Sequence, residues 1–392
     1  MRYLFTTIPG TSHVLPLVPL AHAALAAGHD VLVAGSGPAL DVASSAGLHT
    51  FVTDDGSSAE QYRELGRVMS GTSRGTDLPD SELVTYFGSV FGRIGELMLD
   101  GLTEAASDWR ADAVVYTPPH PGGLFAARAA GVPAVLHNLG IRRPTFGPAV
   151  AAMEPAAQKR GITGSREADV QIDMNAPSLE NRVQGPVEGN TVPHTLPMRY
   201  APYNGGGELP RRLMKRGQKP RIAVTLGSLP STYGEGETLR DIVLATADMG
   251  VDLVVATGGV EVPAMPSPLP AHVTLLDWVP LRALLETCDA LIHHGGLGTM
   301  YAAFHAGVLQ LAVPEPGTDA GPNTAMLVDR GAGQRLDLGD LTVEAAAGAL
   351  RDLLGDPGYR KASEEVAAEI REMPAPGTVI GRLGELCAGV AI

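Results

Sequence analysis

The sequence predicts two α/β domains, each a doubly wound parallel sheet with helices on both faces, and three observations carry this. Apolar runs of strand length recur along the chain and alternate with helical patterns. These runs are apolar at nearly every position, so both faces of each strand are covered, as in parallel sheets. The 392 residues also exceed what one core usually organises.

In the first half the strand-length runs are Tyr3–Ile8, Val31–Ala34, Ala113–Tyr116 and Ala134–His137. In the second they are Ile222–Leu226, Leu253–Ala256, Ala290–His293 and Leu309–Val313. Between the halves, Tyr203 to Pro210 gathers glycine and proline without apolar periodicity and is followed by the basic stretch Arg211 to Lys219, which together read as a linker. The boundary falls near residue 208. Two segments lack strand–helix rhythm, Asp54 to Asp80 and Arg143 to Val192, and both read as long irregular insertions of functional use. Because ligands of doubly wound sheets bind outside the carboxyl ends of the strands, the two domains are expected to face each other across a cleft.

Composition narrows the function. With 44% hydrophobic and 18% charged residues the chain reads as globular and cytosolic, and no apolar run approaches the roughly 18 residues of a membrane span. Proline, glycine and histidine break the apolar start too early for a signal peptide, so it reads as a first strand. Two cysteines, Cys288 and Cys387, are too few for a disulfide framework or a zinc site, and neither reads as a nucleophile. A formal charge of −14 argues against a nucleic-acid partner and makes any anionic ligand depend on local donors.

Such donors are placed by Leu291-Ile292-His293-His294-Gly295-Gly296-Leu297-Gly298-Thr299-Met300, an apolar strand that passes through two histidines and a glycine turn into a helix. Unpaired N–H groups at a helix N-terminus carry about half a positive charge, and glycine lets a phosphate approach the backbone. His294 and Thr299 can add side-chain donors. The alternative is a plain tight turn with a capping Thr299. Upstream, Asp277-Trp278-Val279-Pro280 offers an indole as a platform for a nucleobase. Downstream, Asp319 and Asn323 lie one helical turn apart, and Asp319 could accept hydrogen bonds from sugar hydroxyls.

This order resembles that of GT-B glycosyltransferases acting on macrolides, enediynes and other bacterial natural products, and the resemblance covers nearly the whole chain. Thr11-Ser12-His13-Val14-Leu15-Pro16 is similar to the family's Gly-His-x-x-Pro segment. Met198 to Gly205 resembles its interdomain passage, and Glu369 to Pro376 its closing helix pair. The resemblance implies an acceptor-binding domain over 1–207, a nucleotide-sugar domain over 208–373 and a C-terminal helix, 374–392, packing back on the first domain. It also implies His13 as catalytic base, no resident cofactor and no metal. The donor would be a nucleotide sugar, in particular a dTDP-deoxyhexose, and transfer would invert the anomeric centre. The acceptor would be a hydrophobic small molecule; a homodimer is compatible with the sequence.

The residues themselves suit that chemistry. Imidazole accepts a proton near neutral pH, and His13 sits between the first strand and a helix expected near Val14. The expected nucleotide and phosphate site comprises Ser228, Trp278, Val279, His294, Gly296, Gly298 and Thr299, with the base near Trp278 and Val279; the sugar site comprises Asp319, Ala320 and Asn323. Two departures from the family stand out. An aspartate commonly ends the strand matching Ala113–Tyr116, where this chain has Thr117; a hydroxyl can orient an imidazole but cannot offset the charge of imidazolium. His120 or Asp108 could orient His13 instead. Ala320 follows the acid where the family often has Gln or Ser, which fits a donor with fewer hydroxyls. Three rivals remain: a nucleotide-sugar epimerase of the same fold, a dinucleotide oxidoreductase, disfavoured because Gly-x-Gly-x-x-Gly is absent after the first strand, and a non-catalytic partner of a transferase.

Overall fold

A computed structural model of the chain describes residues 1–72, 80–138, 140, 146–180, 192–227, 236–259, 261–262, 264–314 and 320–389. The first half runs β1 (Arg2–Thr6), α1 (Thr11–Val14), α2 (Val18–Ala26), β2 (Asp30–Gly35), α3 (Pro38–Ser45), β3 (His49–Val52), α4 (Ser57–Thr72) and α5 (Asp80–Asp108). It continues through β4 (Ala113–Tyr116), α6 (Pro121–Ala130), β5 (Ala134–His137), α7 (Phe146–Lys159), β6 (Val170–Asp173), α8 (Pro177–Glu180) and β7 (His194–Pro197). The second half runs β8 (Arg221–Thr225), α9 (Glu237–Ala245), β9 (Asp252–Ala256), β10 (Val273–Leu276), α10 (Leu281–Leu285), β11 (Ala290–His293), α11 (Leu297–Ala306) and β12 (Leu309–Ala312). It closes with α12 (Ala320–Asp329), β13 (Gly333–Arg335), α13 (Val343–Gly355), α14 (Pro357–Glu372) and α15 (Pro376–Gly389).

The strands form two sheets, ordered β3-β2-β1-β4-β5-β6-β7 and β10-β9-β8-β11-β12-β13, with every pairing parallel. All the apolar runs read as strands are strands. Four of the strands that the sequence does not announce, β3, β7, β10 and β13, are the four sheet edges. An edge strand is half exposed and loses the continuous apolar signal; His49–Val52 has no buried residue and His194–Pro197 has one. The fifth, β6, lies inside the sheet but carries Gln171 and Asp173.

Both segments read as irregular insertions carry regular elements among their described residues. Asp54 to Asp80 contains α4, and Arg143 to Val192 contains α7, β6 and α8. In α4, polar residues cover the exposed face and Ala59 and Leu65 are buried beneath, so its composition reads as a loop although its spacing is helical. The linker stretch also carries a short 3-10 turn at Arg211–Leu213, and β8 begins at Arg221.

The chain end packs on the first sheet. Val379, Ile380 and Leu383 of α15 are buried in one apolar cluster with Tyr3, Leu20 and Ala24, and the Arg199 N–H donates to the Pro374 carbonyl at 2.9 Å. Burying three such side chains contributes about 5 to 9 kcal/mol, against about 1 kcal/mol for the hydrogen bond, so apolar contact holds this helix down.

Close helix–sheet packing depends on Gly101 of α5. A Cβ there would overlap the Thr53 carbonyl oxygen, and that backbone cannot yield, because the Thr53 N–H and Oγ1 both donate to the Gly35 carbonyl at 2.9 Å. Gly101→Ala is therefore expected to cost about 1 to 3 kcal/mol, read as a lower denaturant midpoint; an unchanged midpoint would show that α5 shifts freely.

Candidate active site

In each sheet the strand order reverses at one place, between β1 and β4 in the first and between β8 and β11 in the second. Connections there leave in opposite directions and open a crevice at the carboxyl ends of the strands. His13 and Thr117 follow β1 and β4, and Gly227 and His294 follow β8 and β11. Residues scattered along the sequence thus fall at the two switch points.

His13 is the third residue of α1, not a loop residue before a helix near Val14: the helix begins at Thr11, with Gly10 as N-cap and no side-chain cap. The His13 N–H donates to the Gly10 carbonyl at 3.1 Å. Its half-buried ring meets Tyr62 of α4 edge to face, with centroids 6.3 Å apart and planes at 88°. Thr117 is fully buried, and its hydroxyl hydrogen-bonds that of Thr7 at 2.8 Å, bridging the neighbouring ends of β1 and β4.

Neither alternative orienting group fits its proposed use. His120 Nε2 is hydrogen-bonded to Thr6 Oγ1 at 3.0 Å, and Thr6 points to the opposite sheet face from Thr7 because successive strand residues alternate. Burial lowers the His120 imidazole to about 3, so it stays neutral. Asp108 ends α5 at the amino end of the sheet, where the carbonyl of neighbouring Trp109 accepts from Arg2; His13 lies beyond the carboxyl end.

The second switch point is built from glycines. Gly295 has φ +84 and Gly227 φ +81, values that favour glycine. A Cβ on Gly227 would lie 2.9 Å from His294 Cε1, and one on Gly296 would overlap the same ring, so the half-buried imidazole of His294 occupies a slot between two glycines. Gly296 is the N-cap of α11 and no side chain caps this helix; Thr299, half-buried in its first turn, does not cap it. Gly298 is exposed. The turn is held from below: Gly295 N–H donates to His293 Nδ1 at 3.1 Å, and Asn323 Nδ2 donates to the Gly295 carbonyl at 3.2 Å. His293 is fully buried, which lowers its imidazole to about 3 and keeps Nδ1 an acceptor.

Ala320 and Asn323, expected at the sugar site, lie against this turn. Asn323 is fully buried and Ala320 is 2% exposed; a Cβ on Gly295 would meet the Ala320 methyl at 3.0 Å. Both residues back the glycine turn before α11. Ser228 and Asp319 lie outside the described residues.

Trp278, 49% exposed, stands after edge strand β10 with its ring against Gly205 and Gly207 of the interdomain passage. Val279 differs from expectation: its side chain is buried in the core, and its carbonyl accepts from Asn204 Nδ2 at 3.1 Å while Asn204 Oδ1 accepts from the Leu281 N–H at 3.1 Å. The passage is therefore clamped onto the Trp278 loop. Cys288 lies beyond the end of α10, buried, with its thiol donating to the Leu284 carbonyl at 3.3 Å.

Helix α11 also meets the interdomain passage and the first half of the chain. Tyr200 donates to the Gly298 carbonyl at 3.1 Å, Tyr301 to Asn175 Oδ1 at 2.6 Å, and Leu297 packs against Gly140 beyond β5. Among the described residues no group of three or more His, Cys, Asp or Glu could hold a metal ion, and no helix is long and apolar enough to cross a membrane.

Two family models match this chain, the N-terminal domain of erythromycin biosynthesis protein CIII-like proteins over residues 22–227 and the corresponding C-terminal domain over residues 241–386. The chain belongs to the CIII-like family. It is 34% identical to the elloramycin glycosyltransferase ElmGT of Streptomyces olivaceus, over 98% of this chain and 97% of that protein. The crystal structure of the glycosyltransferase SnogD from Streptomyces nogalater superposes with a TM-score of 0.84 at 34% identity, covering 98% of this chain and all of SnogD. The glycosyltransferase VinC, solved in complex with dTDP, superposes at 0.80 with 26% identity over the full length of both chains. This CIII-like protein is accordingly a GT-B glycosyltransferase of natural-product biosynthesis. That sets aside the epimerase, oxidoreductase and non-catalytic readings.

Sequence reasoning missed four members of this CIII-like site. Gly227 and His293 follow or end strands already recognised, and His293 was within reach because a buried histidine before a glycine turn needs a hydrogen-bond partner. Asn204 and Tyr62 carried no local signal; only the tertiary fold brings them to Val279 and His13.

Proposed function

We propose that the protein moves a deoxyhexose from a dTDP donor to a hydrophobic natural-product acceptor, inverting the anomeric centre by direct displacement. The observation that carries this reading is the placement of His13 and His294 at the switch points of the two sheets. In the reaction the acceptor hydroxyl gives its proton to His13 as its oxygen attacks the anomeric carbon. The bond from that carbon to the β-phosphate oxygen breaks, and the electron pair leaves with dTDP.

Residues 1–207 bind the acceptor and residues 208–373 the donor, with 374–392 returning to the first domain. The diphosphate lies at His294, Gly296, Gly298 and Thr299, where the N–H groups of the first turn of α11 and the helix dipole offset the charge that develops on it. Ser228 adds a donor beside Gly227. Trp278 supports the base, with the backbone of Val279 beside it; three strand spacings, about 14 Å, separate β10 from β11 and leave room for a nucleoside. Asp319 holds the sugar, while Ala320 and Asn323 keep the turn rigid. The helix terminus supplies the electrophilic assistance, so a chelator such as EDTA is expected to leave turnover unchanged.

Calorimetry tests the donor site. dTDP is expected to bind more tightly than UDP, NAD not to bind, and His294→Ala to weaken dTDP by at least tenfold. NAD binding alone, or dTDP affinity indifferent to His294, would overturn the reading. VinC, whose structure holds dTDP, supports the choice of nucleotide.

A further inference from the structure

The loop that carries Trp278 follows β10, an edge strand paired only with β9, so the sheet supports it on one side alone. At the start of this loop the Asp277 carbonyl accepts from the Gly259 N–H at 3.0 Å. Its far end leads into α10, which has Pro280 as N-cap and no side-chain cap of its own. The tie at that end comes from outside the second sheet. Asn204 Oδ1 accepts from the Leu281 N–H and Asn204 Nδ2 donates to the Val279 carbonyl, both at 3.1 Å. One planar amide thus bridges Pro280, which has no N–H to offer, and satisfies an N–H that the first turn of a helix leaves unpaired.

Asn204 is itself held in place. The ring of neighbouring Tyr203 meets His22 of α2 edge to face, with centroids 6.1 Å apart, and Tyr203 and Leu209 pack on the apolar cluster that includes Leu20 and Ala24 of the same helix. The passage is therefore anchored on both sides of the asparagine. Its glycines lie along the indole: a Cβ on Gly205 would sit 3.8 Å from Trp278 Cζ2, and one on Gly207 3.2 Å from Cδ1. Gly205 has φ +91, a conformation that favours glycine, so the passage turns here as it runs past the ring. The indole is backed on this side and remains half-exposed.

We infer that Asn204 is a positioning residue for nucleotide binding, its amide holding the Trp278 loop against the interdomain passage so that the indole is in place before a base arrives. This rests on the proposed role of Trp278 as the support for the base. The gain is preorganisation: an indole on an untied loop has to be ordered at the moment of binding, which weakens a ligand by about two- to tenfold. The nucleotide site thus borrows a residue from the passage that precedes the second sheet.

The chain has two tryptophans, so Trp109→Phe leaves Trp278 as the sole indole of the intact protein and its fluorescence reports this loop directly. In that background Asn204→Ala and Asn204→Asp are each expected to lower the anisotropy of Trp278 and raise its quenching by acrylamide, while the urea midpoint reports an intact fold. Asp keeps the shape and the acceptor for Leu281 but sets a carboxylate oxygen against the Val279 carbonyl, so it separates hydrogen bonding from packing. Calorimetry should show dTDP weakened by about two- to tenfold in both variants. Unchanged anisotropy and quenching in both, or a native signal in Asn204→Asp, overturns the inference. So does a looser Trp278 with native dTDP affinity, and Trp278→Leu then separates the two readings. Weakened dTDP binding in Trp278→Leu would leave the indole as support for the base and remove only the part assigned to Asn204, whereas native binding would remove both.

Discussion

His13→Ala is expected to lower kcat by about 10²- to 10⁴-fold, the usual worth of a general base, with the affinity for dTDP unchanged. The separation follows from the fold. His13 stands on α1 after β1 of the first sheet, whereas the glycine turn proposed to hold the diphosphate begins α11 in the second, and no described hydrogen bond joins the two. The loss should sit in the chemical step, since His13 is not proposed to hold the donor. Thr117→Ala should do far less, because Thr117 bonds Thr7 and a hydroxyl does not offset imidazolium charge; the Thr7 to Thr117 bridge would be lost without loss of the base. Initial-rate kinetics on an acceptor glycosylated by the native protein, beside dTDP calorimetry, measures both. A kcat within a fewfold of native in His13→Ala would assign the base elsewhere, and a parallel loss of dTDP affinity would place His13 in the donor site.

Acid is expected to unfold the protein well before its carboxylates titrate. His120, His137 and His293 are fully buried, and burial lowers their imidazoles to about 3, 4 and 3 respectively, against about 6.5 in an unfolded chain. A depressed histidine contributes stability that is fully present above pH 6.5 and is lost as pH falls toward the folded value, because the unfolded chain binds a proton that the native state refuses. At pH 5 each costs about 2 kcal/mol and the three together about 6 kcal/mol, comparable with the whole net stability of many domains. Denaturant melts at pH 7.5, 6.5 and 5.5 should show the midpoint falling progressively, and His137→Leu should remove about a third of the slope. A midpoint flat across that range would mean that none of the three rings is held neutral in the native state.

The same histidines show what could be read from residues and what could not. His294 and His13 were legible because each sits between an apolar strand and a glycine or proline signal, a pattern that composition alone makes rare. His137 and His120 look like ordinary members of a strand and a loop, and their burial follows only from the layers stacked over them. Tyr62 was hidden because α4 is polar on its outer face, and Asn204 because its partners lie far along the chain, at Val279 and Leu281.

The sequence by itself determined the central strands, the two-domain plan and the glycine turn before α11, since continuous apolar runs and a strand–glycine–helix passage are local patterns with local physical causes. Edge strands escaped it, being partly exposed and too short to give a continuous apolar run. The tertiary structure alone decided that His13 with Thr117 and His294 with Gly227 meet at the two switch points, that Ala320 and Asn323 brace the turn from within, and that Tyr62 closes on His13. Those outcomes depend on which strands become neighbours, and strand order is set by the packing of whole layers rather than by any segment's own preference.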